Sequence, residues 1–267
     1  MSLIKSNAVA PPPASGGSLS SISEMNSLRF DGSSYLSQTF SNTQTSNQNM
    51  TWSLWVKRSK VANVGCMFSQ KGGNTASQRD AVYYDSSTDQ LITTKYTGAT
   101  VNYFLKTNQV FRDLSAWFHL VYVLDLDNGT QSERLRLYIN GVEVTQFGTE
   151  TQPANTTTIS YFGNNSYPAM IGQDANVSSR FFSGYLANIQ FIDGQVPTTA
   201  NGGLDADGNL QWFGETVSDI WVPKQYGSGN TANAMTEYGQ NGFHLDFADA
   251  NNIGNDVSGR GNHWTAN

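Results

Sequence analysis

The chain has 267 residues, of which 13% are charged and 12% aromatic. Its net charge of −6 and its pI near 4.9 argue against nucleic acid or an anionic membrane surface as a partner. No apolar run approaches membrane-spanning length and no helical periodicity is sustained, so we predict an all-β protein without membrane insertion.

Residues 1–26 are predicted to form an extended N-terminal arm. Pro11-Pro12-Pro13 favours an extended conformation, and Gly16-Gly17 with several serines makes the second half of the arm flexible. Two interpretations stay open: a disordered leader, or a segment that docks on a neighbouring protein rather than on its own domain. The arm has no sustained apolar stretch, so we expect cytoplasmic synthesis without a signal peptide.

Short apolar runs from Leu28 onward, separated by Gly, Asn, Asp and Ser, predict antiparallel strands. In residues 50–59, Trp52, Leu54 and Val56 share one face. Residues 117–124 are apolar on both faces, which predicts a strand in the middle of a sheet. Further strands are expected within residues 64–70, 80–85, 90–96, 101–106, 169–173 and 180–194.

Residues 134–139 alternate between polar and apolar side chains, which predicts a second interior strand beside 117–124. Asn140-Gly141 supplies the two positive-φ residues of a type I′ turn, after which residues 142–147 are expected to return antiparallel. The residues expected to be buried here are Val121, Val123, Leu137 and Ile139.

Residues 195–267 are predicted to form a loop-rich C-terminal extension. The stretch 195–240 is an excursion whose tryptophans pack on the main domain. The run 242–247 carries Phe243, Leu245 and Phe247 on one face, and alone it would expose that face and an unpaired edge. We therefore expect it to pair close to residues 28–30 and close the domain that spans residues 27–194.

Five segments resemble a known family: MTWSLWVKRS, WFHLVYVLD, LRLYINGVEV, MIGQ and FFSGYLANIQFIDG, in that order. They are similar to the laminin-G-like branch of the concanavalin A-like jelly rolls, over about residues 28–194. This resemblance implies an antiparallel two-sheet β-sandwich, preceded by the long arm and followed by the extension. A shared fold does not fix function.

A second group of segments, VFRDLSAWFHLV, FIDGQ, DIWVPKQYGS and NGFHLDFADA…DVSGRGNHWTAN, resembles phage and prophage tail-fibre or appendage proteins. This implies a non-enzymatic virion structural protein on a tail fibre, appendage or capsid surface, located on the virion and part of an oligomer or larger assembly. The implied partners are other virion proteins, through the arm, and host-surface glycans. The alternatives are a polysaccharide depolymerase or glycosidase of the same fold, and a free lectin-like module.

Catalytic motifs are missing from the sequence: it has no G-x-S-x-G elbow, Walker loop or H-E-x-x-H. Cys66 lies in an apolar run and is expected to be a buried, inert thiol, and His119 a satisfied core histidine. Glycoside hydrolysis needs two carboxylates at a fixed separation. No glutamates form the Glu-x-Asp-x-Glu pattern of the glucanases of this fold, and Asp125 with Asp127 falls in a turn. We assign no catalytic residues.

Two binding hypotheses remain. Oxygen-rich turns suit Ca²⁺, although hydrogen bonds from Asx turns to the backbone explain the same residues without a metal. Exposed aromatic rings can stack on the partly apolar face of a sugar. The candidate metal ligands are Asp246, Asp249, Asp256 and Asn262, and the candidate glycan-stacking residues are Tyr161, Phe162 and Tyr167. No organic cofactor is expected. The segment 205–209 resembles the start of an EF-hand loop but lacks the Gly and Glu required at the sixth and twelfth positions.

Overall fold

The computed structural model describes residues 25–73, 77–154, 160–224, 226 and 238–267, and the backbone of residues 4–8. Two large antiparallel sheets form a sandwich, which confirms the all-β fold class. In the part of the chain that is described, no helix is long and apolar enough to span a membrane. A single turn of 3-10 helix, Gln131–Glu133, lies between two strands.

The first sheet has eight strands in the described residues. In spatial order they are β1 (Ile4–Ala8), β2 (Met25–Asp31), β14 (Ser183–Asp193), β4 (Asn49–Arg58), β9 (Phe118–Asp125), β10 (Leu135–Ile139) and β11 (Val142–Glu143), with β17 (Phe243–Leu245) also paired to β14.

The second sheet also has eight described strands. In spatial order they are β12 (Phe147–Thr151), β8 (Thr100–Val110), β7 (Gln90–Thr97), β6 (Arg79–Tyr84), β5 (Cys66–Lys71), β13 (Ala169–Ile171), β3 (Leu36–Gln38) and β18 (Thr265–Ala266). A separate hairpin in the extension joins β15 (Gly214–Val217) to β16 (Ile220–Pro223).

The core between the sheets is rich in aromatic rings. Trp52 of β4 stacks on Phe68 of β5 with ring centroids 4.3 Å apart, so this pair joins the two sheets directly. Phe162 and Phe243 meet the same tryptophan edge to face, at 5.6 and 5.4 Å. Aromatic pairs of this kind add about 0.5–1.5 kcal/mol each beyond the burial of their area. Cys66 is fully buried and unpaired, as predicted.

Strands β4 and β9 are buried on both faces. Trp52 faces the sandwich core, while Val121 and Val123 on the outer face of β9 belong to a second apolar cluster. That cluster includes Trp212 and Phe213 of the extension. The apolar pattern of residues 117–124 therefore reflects a sheet covered on both sides, as predicted for an interior strand.

The turn after β10 is confirmed, but the residues after the turn do not all return along β10 as predicted. Asn140 and Gly141 have φ values of 49° and 81°, both positive as a type I′ turn requires. Pairing with β10 extends over Val142–Glu143 and ends with a hydrogen bond from the N–H of Val144 to the carbonyl oxygen of Leu137. Phe147–Thr151 then pairs with β8 of the other sheet. The crossing lets the partly buried Phe147 pack against the core.

Leu137 of β10 is fully buried, as predicted. Ile139, which was also expected to be buried, is only partly buried because it lies next to the turn. Tyr138, on the face expected to point outward, is fully buried because the extension covers it. Amphipathic alternation shows which face meets the core but not whether a later segment covers the other face.

The N-terminal arm was expected to dock on a neighbouring protein rather than on its own sandwich, and the structure contradicts this. Residues 4–8 form β1 and pair antiparallel with β2, with Ile4 opposite Arg29 and Ala8 opposite Met25. The physical reason is that β2 would otherwise present an unpaired row of backbone N–H and C=O groups. Residues 9–24 lie outside the described residues.

The strand near the C-terminus closes the first sheet where the sequence placed it. β17 pairs with Ile189–Phe191 of β14, along the same edge on which β2 pairs with residues 183–187. β17 and β2 therefore lie end to end, with a bulge between them around Asn188, whose φ is 47°. Phe243 and Leu245 are fully buried and Phe247 is 2% exposed, as expected.

Asp256 fastens this strand to the last turn. Its Oδ1 accepts hydrogen bonds from the backbone N–H groups of His244 and Ser258, and its Oδ2 accepts one from the N–H of Asn262. The Asn262 side chain in turn donates to the carbonyl oxygens of Gln240 and Gly242. These backbone hydrogen bonds match the sequence-based expectation for Asp256 and Asn262.

Truncating Leu137 to alanine should lower the free energy of unfolding by about 2–5 kcal/mol, because a buried leucine loses its transfer free energy and leaves a cavity. Chemical denaturation followed by tryptophan fluorescence measures this change. Val142→Ala in the adjacent strand is the control, since Val142 is 61% exposed. It should change the value by less than about 0.5 kcal/mol. Equal losses in both variants would contradict the register of β10.

Asp256→Ala should destabilise the fold by about 1–3 kcal/mol or more, because backbone donors in a largely buried turn lose their acceptor. Asp249→Ala is the matched control, since Asp249 accepts a hydrogen bond from Asn251 in an exposed turn. Thermal unfolding of the two variants measures the difference. If the two midpoints coincide, Asp256 does not hold the C-terminal strand in place.

Candidate functional site

Two of the three aromatic residues proposed to stack on sugar are not available for it. Phe162 is 1% exposed and packs in the core against Trp52 and Phe68. Tyr161 is 9% exposed, and the Nζ of Lys95 lies 3.1 Å from its ring centroid. The structure therefore contradicts a stacking role for Tyr161 and Phe162. Tyr167 is partly exposed, and its carbonyl oxygen accepts a hydrogen bond from Gln70.

A buried carboxylate explains why this loop turns inward. Asp80 accepts hydrogen bonds from the Tyr103 hydroxyl, the Ser160 hydroxyl and the backbone N–H of Tyr161, at 2.8, 2.8 and 2.6 Å. Lys95 lies 3.8 Å from the same carboxylate, and burial lowers the pKa of its ammonium group. A buried carboxylate requires such partners, so the loop is held down on the second sheet.

The candidate calcium ligands are each engaged in local turns. Asp246 and Asp249 accept hydrogen bonds from the backbone N–H groups two residues further on, and Asp256 and Asn262 hold the C-terminal turn. Across the described residues, no group of three or more His, Cys, Asp or Glu side chains could hold a metal ion. Calcium binding by these residues stays a prediction without a preformed acidic site.

His119 lies beneath the extension with both ring nitrogens bonded, as predicted for a satisfied core histidine. The indole Nε1–H of Trp221 donates to its Nδ1 at 3.0 Å, because an indole nitrogen can only donate. Nε2 therefore carries the ring proton and donates to the Oγ of Ser53 at 2.8 Å. A serine nucleophile needs an unprotonated base nitrogen, so this pair is not arranged for catalysis.

Asp125 and Asp127 form a turn rather than a catalytic pair. The side-chain amide of Asn128 donates to Asp125, and that of Asn49 donates to Asp127. Burial raises the pKa of Asp125, and the neighbouring Asp127 adds to this shift. Both carboxylates are held at the end of β9 by amides, as expected for a turn.

An open cleft of about 560 Å³ lies between the β10–β11 turn and the extension. It combines one partly exposed aromatic ring with a set of polar side chains. Its lining consists of Asn140, Gly141, Val142, Asp205, Asn209, Leu210, Gln211, Glu215, Thr216 and Trp221.

The extension is fixed against the turn by one backbone hydrogen bond and by an apolar cluster. The N–H of Leu210 donates to the carbonyl oxygen of Gly141 at 2.9 Å. Trp212 is 1% exposed and meets Tyr226 at 5.4 Å, and Phe213 stacks on the same tyrosine at 5.0 Å. The wall of the cleft is therefore a packed part of the protein rather than a free loop.

Trp221 is held in one orientation by contacts from three sides. Its ring is stacked parallel to His119 at 6.0 Å, in addition to the hydrogen bond between them. Gly141 and Gly214 approach its ring so closely that a Cβ on either residue would lie 2.3–2.4 Å from ring atoms. Glycine is required at both positions for the ring to fit.

Asp205 arranges the polar wall of the cleft. Its Oδ1 accepts hydrogen bonds from the backbone N–H groups of Asp207 and Asn209. Its Oδ2 accepts from the side-chain amides of Asn209 and Gln211, at 3.1 and 3.2 Å. The hydrogen bonds from Asn209 lower the pKa of this carboxyl, so Asp205 is ionised and acts as an acceptor only.

Sequence reasoning did not identify this cleft. It grouped Trp221 among residues that pack the excursion on the sandwich, and it discarded 205–209 as a failed EF-hand. The contact that defines the site joins residues 102 positions apart, Trp221 and His119. The signals for this site in the sequence were the glycine of the Asn140-Gly141 turn and the short apolar island that contains Trp221.

A family model described as the Concanavalin A-like lectin/glucanases superfamily matches residues 30–199. The chain belongs to this superfamily. The matched region ends before Asp205, so the superfamily fold supplies the turn at Asn140-Gly141 while the extension supplies the other wall of the cleft. No curated protein matches the chain significantly.

Solved structures similar to this chain include a heptameric SAP-like pentraxin from Limulus polyphemus, with 20% identity, a TM-score of 0.45, and coverage of 64% of this chain and 76% of that chain. Domain 4 of the GH43 extracellular arabinanase AbnA from Geobacillus stearothermophilus has 15% identity, a TM-score of 0.43, and coverage of 70% and 72%. Domains LG4-5 of the mouse laminin alpha1 chain have 14% identity, a TM-score of 0.46, and coverage of 65% and 45%. At these TM-scores the similarities imply neither a ligand nor a role for this chain.

Stability should fall as the pH drops from about 6.5 towards about 3. Burial lowers the pKa of His119 from 6.5 to about 3, so in this window the unfolded chain binds a proton that the folded chain does not. The stabilising contribution is complete above pH 6.5 and is lost as the pH approaches 3. Thermal midpoints measured across this range should show a smaller slope for His119→Gln than for the wild type. An unchanged slope would mean that His119 is not buried in its neutral form.

Proposed function

We propose that this protein is a non-enzymatic carbohydrate-recognition module displayed on a phage virion. The observation that carries the recognition part is the cleft in which the Trp221 ring lies beside Asn209, Gln211 and Glu215. Sugars combine partly apolar ring faces with many hydroxyl groups, so a site for them pairs an aromatic ring with planar polar side chains. Val142, which is 61% exposed, adds a second apolar contact at the rim.

The chemistry of the cleft favours binding over hydrolysis. Glycoside hydrolysis uses one carboxyl group as acid and another as nucleophile or base. Of the two carboxylates that line the cleft, Asp205 is occupied by the hydrogen bonds that order its own loop. Glu215 is left as a single carboxylate, which can bind a ligand group but lacks the second catalytic partner.

The virion part of the proposal rests on the resemblance to phage tail-fibre and appendage proteins in residues 110–121, 191–195, 219–228 and 241–267. We propose that the protein is located on the virion, within an oligomer or larger assembly of virion proteins. Since residues 4–8 pair with β2, contacts with those proteins would use other surfaces.

Binding to a printed array of bacterial-surface and other glycans should be detected with the wild-type protein and lost in Trp221→Ala. Removing the ring removes the stacking platform. Trp117→Ala is the matched control, since Trp117 is also partly exposed but does not line the cleft. A binding signal that survives in Trp221→Ala, or no glycan binding at all, would overturn the assignment of this cleft.

A second pair of variants separates loss of the ring from loss of its orientation. Gly141→Ala places a methyl group about where the Trp221 ring lies, whereas nothing lies within 4 Å of the equivalent position at Gly98. Both glycines have positive φ, 81° and 64°, so Gly98→Ala carries a similar backbone strain without the clash. Gly141→Ala should abolish glycan binding and Gly98→Ala should retain it.

Mass spectrometry and immunogold labelling of purified particles test the virion location. Release of reducing sugar from any bound polysaccharide would favour the depolymerase alternative. Binding without particle association would favour a free lectin-like module.

A further inference from the structure

We infer that the cleft selects neutral or amino-bearing saccharides and rejects acidic ones. This inference rests on the proposed function and adds the chemical class of the ligand. Two observations support it: the hydrogen bonds that the polar side chains of the cleft already form with one another, and the charges on the lining of the cleft.

The cleft offers mostly hydrogen-bond acceptors to a ligand. Because Asp205 can only accept, the side-chain amides of Asn209 and Gln211 must turn their N–H groups towards it. Their amide oxygens then have no hydrogen-bond partner among the described residues. The Glu215 carboxylate also has no partner in the described part of the chain, and it is acceptor-only when ionised. A ligand that fits this wall must supply donors.

Donor groups in the cleft are fewer. Oδ1 of Asn140 accepts the backbone N–H of His119, which leaves the Asn140 amide nitrogen as a donor at the rim. Thr216 contributes a hydroxyl group, which can donate or accept. Hydroxyl and amino groups of a saccharide match this imbalance, because each hydroxyl can donate one hydrogen bond and an ammonium group can donate three.

The charges on the lining point the same way. Among the described lining residues there are two carboxylates, Asp205 and Glu215, and neither lysine nor arginine. Lys224 is outside this lining, and its Nζ donates to the backbone oxygen of Gln211 at 3.5 Å rather than to either carboxylate. A carboxylated or sulfated sugar would lose hydration next to two like charges, which is costly without a counter-ion. An amino sugar would gain a charge-assisted hydrogen bond with Glu215.

The test is an array that holds neutral, amino-bearing and acidic glycans side by side, read with the wild type, Glu215→Gln and Glu150→Gln. Glu150 is exposed on β12 outside the cleft, so its variant makes the same change in net charge. We expect the wild type to bind neutral or amino-bearing glycans. Glu215→Gln should weaken binding to amino-bearing glycans by about tenfold or more, while Glu150→Gln leaves it unchanged.

The outcomes separate this inference from the proposed function. Acidic glycans that bind as well as neutral ones, with loss of the signal in Trp221→Ala, would overturn the charge selection while leaving the cleft as a glycan site. Retained amino-sugar binding in Glu215→Gln would likewise overturn the role given to Glu215. No Trp221-dependent binding of any glycan would overturn the proposed function and this inference together.

Discussion

The structure depends on burying both faces of its central strands. β4 and β9 carry apolar side chains on each side, and the sandwich supplies cover for one side only. Leaving Val121, Val123 and Tyr138 in water would expose a contiguous apolar surface on the first sheet. The extension resolves this, since Leu210, Trp212 and Phe213 pack on that outer face and bury it. The segment beyond the superfamily match is therefore part of the fold.

This second layer also creates the candidate site. Once the extension lies on the sheet, its hairpin meets the β10–β11 turn, and a cleft forms where the two surfaces diverge. The indole of Trp221 is fixed there by His119, a residue of the sheet itself. Sites held by packed elements lose less conformational entropy on binding than sites on free loops. The same contact that covers the sheet thus fixes the orientation of the aromatic wall.

Local sequence patterns predicted the elements that depend on neighbours in the chain. The shared core face of Trp52, Leu54 and Val56, the Asn140-Gly141 turn, and the apolar face of residues 243–247 all appear in the structure as expected. Features set by distant partners were missed. Tyr161 and Phe162 look like exposed loop aromatics until Asp80, about 80 positions away, draws the loop inward. The crossing of residues 147–151 to the second sheet and the pairing of residues 4–8 with β2 have the same origin.

The cleft itself could not be predicted from motifs, because its chemistry comes from groups whose roles are set by tertiary contacts. Residues 205–209 read as an incomplete calcium loop, and in the structure Asp205 accepts hydrogen bonds from within that loop and from Gln211 instead. The Asp205 carboxylate therefore orders its own loop. It also turns the neighbouring amides so that their oxygens are left for a ligand. The preference of the cleft for donor-rich, uncharged or cationic ligands is therefore a consequence of how the loop satisfies its own backbone.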